Sequence, residues 1–291
     1  MFPGFETRDI ETSGARIRLR LGGNGPPLLL LHGNPQTSAM WRHVAPALAD
    51  RFTCVCPDLR GYGFSSKPPP GERHINYAKR EMARDMVEVM ETLGHSRFHL
   101  CGHDRGGRVA HRLAYDWPDR VTRVCVLDIA PTREMYANTT DAFARAYWHW
   151  FFMILPHPIP ERMFGADPEF TLRKKMGGFT DLAIFEGAWE EYLEAFRDPE
   201  TIRATCDDYR AAATIDIEHD DAETGKLAVP LLCLWGAKGV IERCFDPLAL
   251  WRQRAADVRG HALPCGHFMP EELPGEITRE LAEFFGAHAS R

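Results

Sequence analysis

Residues 102–106 read Gly102-His103-Asp104-Arg105-Gly106, with an apolar run from Phe98 to Cys101 before them and a helical pattern from Gly107 to Trp117 after them. A strand, a tight turn and a helix in that order lift the central side chain of the turn above the edge of an α/β sheet. The identity of that side chain selects the chemistry. A serine there attacks acyl carbonyls, whereas a carboxylate attacks an sp³ carbon, displaces a leaving group and leaves an alkyl ester on the protein. Asp104 is therefore the candidate nucleophile.

The 291 residues suffice for one large α/β domain with an insertion, or for two domains. Strand-like runs occur at 15–21, 27–31, 52–56, 98–101, 121–127, 229–235 and 258–263, the first able to pair antiparallel. Helical patterns at 37–49, 77–93, 107–117, 247–256 and 270–285 fill the gaps. Such alternation predicts a mostly parallel sheet flanked by helices. The stretch 132–216 lacks strand-like runs and is too long for a loop, so helices of its own are expected there. The expected division is a core of residues 1–131 and 217–291 and a helical cap of residues 132–216. The cap segment holds roughly half of the aromatic residues. They can pack inward, or line a pocket over the elbow, since enclosed sites often form between domains.

With 44% hydrophobic and 26% charged residues and a net charge of −6, the chain shows no basic stripe for nucleic acid. The first residues lack the pattern of a secretory signal, and no apolar run approaches membrane-spanning length. The eight cysteines include no C-x₂-C pair, and most sit in strand-like runs, which favours a reducing, cytoplasmic setting.

An aspartate nucleophile needs a base to activate water, an acid to orient that base, and donors for the oxyanion formed when water attacks the ester. His267 follows the last strand-like run and precedes the last helix, where this architecture carries its base. Asp128 ends the run 121–127 and should emerge on the carboxyl edge of the sheet; Glu242 is the weaker alternative acid. The loop Leu31-His32-Gly33-Asn34-Pro35 supplies one oxyanion donor, the Asn34 amide, and the Arg105 amide supplies the other.

Arg105 and Arg108 fall in the first turn of the elbow helix, where the helix dipole disfavours cations. A fixed anion in the pocket, such as a substrate carboxylate held bidentately, would explain both. Alternatively, one of them pairs with a structural carboxylate from a neighbouring loop. His103 reads as a spacer, and Arg112 as a residue outside the site that pairs on the surface.

Taken together, Gly102-His103-Asp104-Arg105-Gly106-Gly107-Arg108, Asp128-Ile129-Ala130-Pro131, His149-Trp150, Tyr209 and Gly266-His267-Phe268 resemble the fluoroacetate (haloacetate) dehalogenases of the α/β-hydrolase superfamily over nearly the full chain. The resemblance implies the α/β-hydrolase fold and attack by Asp104 on the α-carbon of a 2-haloacid. It also implies that Arg105 and Arg108 hold the carboxylate while His149, Trp150 and Tyr209 donate hydrogen bonds to the halide. One departure stands out. The family commonly has phenylalanine where this chain has Asn34. Asparagine there is similar to haloalkane dehalogenases, which place tryptophan after the nucleophile instead of Arg105.

The rival enzymes are a haloalkane dehalogenase and, chiefly, an epoxide hydrolase with the same aspartate and histidine, polarising an epoxide oxygen with tyrosines such as Tyr147, Tyr192 or Tyr209. A rival of another class is a silent, ligand-binding member of the fold. No cofactor, metal, nucleic acid or membrane is expected, and a homodimer is compatible with the chain without being dictated by it.

Overall fold

Continuous apolar strands need cover on both faces. Pro27–Leu31 (β3) is of this kind, and its four leucines are fully buried. Burying one leucine stabilises the fold by about 1.5–3 kcal/mol. The computed structural model describes residues 1–178 and 180–286. The other strands are Glu6–Glu11 (β1), Arg16–Gly22 (β2), Thr53–Pro57 (β4), Phe98–His103 (β5), Val121–Leu127 (β6), Leu231–Gly236 (β7) and Val258–Leu263 (β8). They form one eight-stranded sheet in the order β1-β2-β4-β3-β5-β6-β7-β8. The β1–β2 and β2–β4 pairings are antiparallel and the rest are parallel. This is the α/β-hydrolase fold.

β1 had no counterpart in the sequence reading. Its segment Glu-Thr-Arg-Asp-Ile-Glu buries only Ile10, so it carries no apolar run. Cross-strand ion pairs hold it instead, with Asp9 accepting from Arg16 at 2.7 Å and from Arg18 at 2.8 and 3.0 Å.

Two expected helices are broken. The span 37–49 forms a 3-10 turn, Ser38–Trp41, and a short helix, Ala45–Leu48. Pro46 lies in the first turn of that helix, where its missing N–H costs nothing, but it cannot sit inside a longer one. The span 270–285 likewise splits into Met269–Glu272 and Pro274–Gly286, with Pro274 opening the second piece. Between β6 and β7 the chain is helical from Thr132–Ala137 through Ile215–Asp221, past the expected limit at 216.

β3 pairs with β4 on one side and β5 on the other, so the chain switches direction across the sheet there. Open α/β sheets form crevices at the carboxyl edge of such a switch. The loops after β3, β5, β6 and β8 carry Asn34, Asp104, Asp128 and His267 to this edge.

Candidate active site

The elbow's backbone is set by crowding. Asp104 has φ 47° and ψ −114°, a region that costs a non-glycine residue about 1–3 kcal/mol. A Cβ on Gly102 would lie 2.3 Å from the Gly106 carbonyl oxygen, and one on Gly106 would lie 2.4 Å from that of His32. The two glycines thus let helix and strand approach closely enough to hold Asp104 at the tip. The Asn34 backbone N–H already donates to Asp104 Oδ1 at 2.8 Å. Arg105 opens the elbow helix directly after it.

His267 Nδ1 lies 2.6 Å from Asp128 Oδ2, and the other Asp128 oxygen accepts the Gly236 N–H at 2.9 Å. Asp128 too has a positive φ, 50°. With Nδ1–H committed to the carboxylate, Nε2 is the nitrogen that can take a proton. Burial disfavours the imidazolium, but the Asp128 hydrogen bond and charge outweigh it and raise the His267 pKa. Burial likewise disfavours an Asp104 anion, yet His267, Arg105 and Arg108 outweigh it and hold the carboxyl below its usual range. His103 is more than a spacer: its Nε2 donates to the His267 carbonyl at 2.7 Å, and burial pushes its pKa down to about 3. Glu242, the alternative acid, instead accepts the indole N–H of Trp235.

The two arginines differ. Arg105 meets Asp208 bidentately along one edge of its guanidinium, Nε to Oδ2 and Nη2 to Oδ1, each at 2.7 Å. The structural-carboxylate alternative therefore describes Arg105: its partner comes from the helix Pro199–Ala212 of the insertion, and only Nη1 stays without a hydrogen bond. Asp208 also pairs with Lys79 and accepts from the Tyr62 hydroxyl at 2.5 Å. Arg108 donates to the Ala130 carbonyl at 3.1 Å and to Thr132 Oγ1 at 3.0 Å, leaving Nε unpaired. Arg112 is a correction: it is buried, and it pairs with Asp220 at 2.5 Å and Glu223 at 2.8 Å.

From the insertion, His149, Trp150 and Tyr209 pack together, with ring centroids 6.0 Å apart for His149–Tyr209 and 6.2 Å for Trp150–Tyr209. The Arg105 guanidinium lies 4.2 Å over the Tyr209 ring and that of Arg108 4.6 Å over Trp150. Trp150 Nε1 is buried with no acceptor. Burial and the Lys175 charge keep His149 neutral.

A cavity of about 20 Å³, room for one or two waters, lies above Asp104. Its lining includes Asn34, Tyr147, His149, Lys175 and His267. Of the three expected halide donors only His149 lines it. Tyr147 brings its hydroxyl to 3.5 Å from His267 Nδ1.

Asp208 and Lys175 were missed in the sequence. Lys175 had a readable signal: in the helix Pro168–Gly177 the buried residues are Thr171, Leu172, Lys175 and Met176, so it falls on the apolar stripe. Asp208 had none, since adjacent Asp207 is buried as well.

His111, Asp220 and Glu223 are close enough together to hold a metal ion. Arg112 and Arg254 already neutralise those carboxylates, at 2.5–2.9 Å, which leaves little attraction for a cation.

A family model described as alpha/beta hydrolase fold matches residues 26–272. The chain is 46% identical over 288 residues to a fluoroacetate dehalogenase of Burkholderia sp, covering 98% of this chain and 95% of that protein. It is 34% identical over 282 residues to a soluble epoxide hydrolase of Corynebacterium sp. (strain C12), covering 94% of each. The crystal structure of ALR0039 from Nostoc sp PCC 7120 superposes with a TM-score of 0.98 at 53% identity, covering 99% of this chain and 100% of that one.

Proposed function

The chain belongs to the alpha/beta hydrolase fold family and, within it, to the fluoroacetate dehalogenases, and from that membership we propose a hydrolytic dehalogenase of short 2-haloacids. It is a hydrolase of carbon–halide bonds, and the finer reading is haloacetate, fluoroacetate included. One observation carries that reading: an elbow carboxylate with a backbone donor on one oxygen, in a cavity shared with a histidine–carboxylate pair.

In the proposed mechanism, the Asp104 oxygen not held by Asn34 attacks the α-carbon in line and expels halide. The His149 imidazole, which lines the cavity, donates first to the departing ion, and Trp150 Nε1–H and the Tyr209 hydroxyl, packed behind it, replace more of its water once substrate occupies the site. Asp104 Oδ1 becomes the ester carbonyl oxygen. His267 Nε2 then takes a proton from water, and the hydroxide attacks the Asp104 carboxyl carbon. The resulting oxyanion on Oδ1 is stabilised by the Asn34 amide and by that of Arg105. Collapse releases the 2-hydroxy acid and restores Asp104. The net change is haloacetate and water to glycolate, halide and a proton.

Halide release from fluoroacetate and chloroacetate tests this reading. Wild type is expected to release halide, Asp104→Asn none, and His267→Asn to accumulate an ester on Asp104 visible by mass spectrometry. No halide from wild type with either substrate refutes the reading. A second reading, epoxide hydrolysis, gains from two observations: Tyr147 lies in the cavity, and Arg105 is committed to Asp208. Faster turnover of a neutral epoxide than of haloacetate would favour it.

A further inference from the structure

The sequence assigned the pocket anion to Arg105 and Arg108, yet Arg105 is tied to Asp208 and Arg108 to Ala130 and Thr132. Neither lines the cavity above the nucleophile, whereas the cap-side Lys175 does. Its Nζ donates to Asn34 Oδ1 at 2.7 Å and leans on Met153 Sδ at 3.6 Å. We propose that Lys175 and Asn34 together form an anion-binding wall of this cavity, one that takes a small monoanionic group of substrate or product.

Lys175 is buried, and so is Asn34. An ammonium can only donate, so it fixes which end of the Asn34 amide is oxygen. Nδ2 must then face away from Lys175, and it is buried with no acceptor. An unpaired buried amide donor is costly, and an anion in the cavity would satisfy it. The same contact accounts for asparagine at position 34, whose amide oxygen accepts a hydrogen bond that an apolar side chain there could not. Burial lowers the Lys175 pKa to about 8, so the side chain is largely protonated at neutral pH. Two groups share the required chemistry, the halide and the carboxylate of a short acid. This inference rests on the dehalogenase reading for the identity of those ligands, though not for the binding itself.

The test is titration calorimetry with sodium chloride and, separately, sodium glycolate, on wild type, Lys175→Met, Lys175→Arg and Asn34→Leu. Lys175→Met is expected to weaken binding of at least one anion by about tenfold or more, the scale of a lost charge-assisted hydrogen bond, with partial recovery in Lys175→Arg. Asn34→Leu should weaken the same anion. A loss for chloride alone assigns the wall to halide, and a loss for glycolate alone to carboxylate; either supports the proposal. Unchanged affinity for both anions in Lys175→Met and Asn34→Leu overturns it, as does a wild type that binds neither. Should Lys175→Met fail to fold, Asn34→Leu reads the wall from the other side and decides. A wild type that binds anions through Lys175 but releases no halide would sink the dehalogenase reading and leave this one standing. For an active wild type, a rise in KM in Lys175→Met assigns carboxylate capture, and a fall in kcat assigns the leaving halide.

Discussion

The two walls of the site are built on different principles. The sheet-side wall (Asn34, Asp104, Asp128 and His267) is fixed by backbone. Two of its residues have positive φ, one is flanked by glycines with no room for a Cβ, and each sits on a loop leaving the sheet edge. The insertion-side wall (His149, Trp150, Lys175 and Tyr209) is fixed by side chains packed on side chains from three helices. The walls meet through buried charge: Asp208 of the insertion holds Arg105 and Lys79 of the core. Reaction geometry set by a backbone tolerates little change, whereas a packed wall can vary in size and donors, so the second is where substrate choice should reside.

If that contrast holds, damage to the sheet-side wall should destroy chemistry without unfolding. Asp128→Asn keeps the shape but favours the wrong His267 tautomer, and it is expected to slow turnover by about 10⁴-fold. Circular dichroism and steady-state kinetics check this; a loss under tenfold would mean that another group orients His267.

Damage to the junction should do the reverse. Asp208→Asn leaves the buried Arg105 without its anion and Lys79 with only Asp216, at 3.5 Å, and it should cost about 3–5 kcal/mol in denaturant unfolding. Burial opposes the Asp208 anion, but Arg105 and Lys79 outweigh it, so its pKa is depressed on folding. A depressed carboxyl contributes stability above its unfolded pKa and loses it as pH falls through the folded value. Wild type should therefore lose stability on acidification more steeply than Asp208→Asn. Equal slopes would remove Asp208 as the junction.

A change within the packed wall should be selective. Trp150→Phe removes the indole N–H and keeps most of the packing. It should slow fluoride release by about tenfold more than chloride release, with less than about 1.5 kcal/mol lost in stability. An equal effect on both halides would reduce Trp150 to packing.

The smallest expected effect concerns pH. The His267 pKa is raised, and only the neutral ring can accept a proton from water. Ester hydrolysis should slow as pH drops through that raised value while Asp104 stays ionised, so the ester fraction trapped by rapid quench should grow on mild acidification. An ester fraction flat across that range would exclude His267 as the base.

Much of the sheet was legible because central strands buried on both faces must be apolar throughout. β1 was not, because charge pairing with β2 replaced burial. The broken helices show proline acting as a start signal inside an otherwise helical pattern. Asp104, Asp128 and His267 could be picked out because position in an α/β topology nearly determines position in space. Their proximity is what the structure adds, at 2.6 Å for the Asp128–His267 contact.

By itself, the sequence determined the fold class, the elbow and the chain order of Asp104, Asp128 and His267 at successive strand ends, since these depend on local periodicity and turn chemistry. Only the tertiary structure decided which charges meet. Arg105 and Arg108 are three residues apart on one helix, yet one faces a carboxylate and the other two neutral oxygens. Lys175 and Asn34 are 141 positions apart and in contact. Partners of buried charges are chosen by long-range packing, and periodicity along the chain carries no record of them.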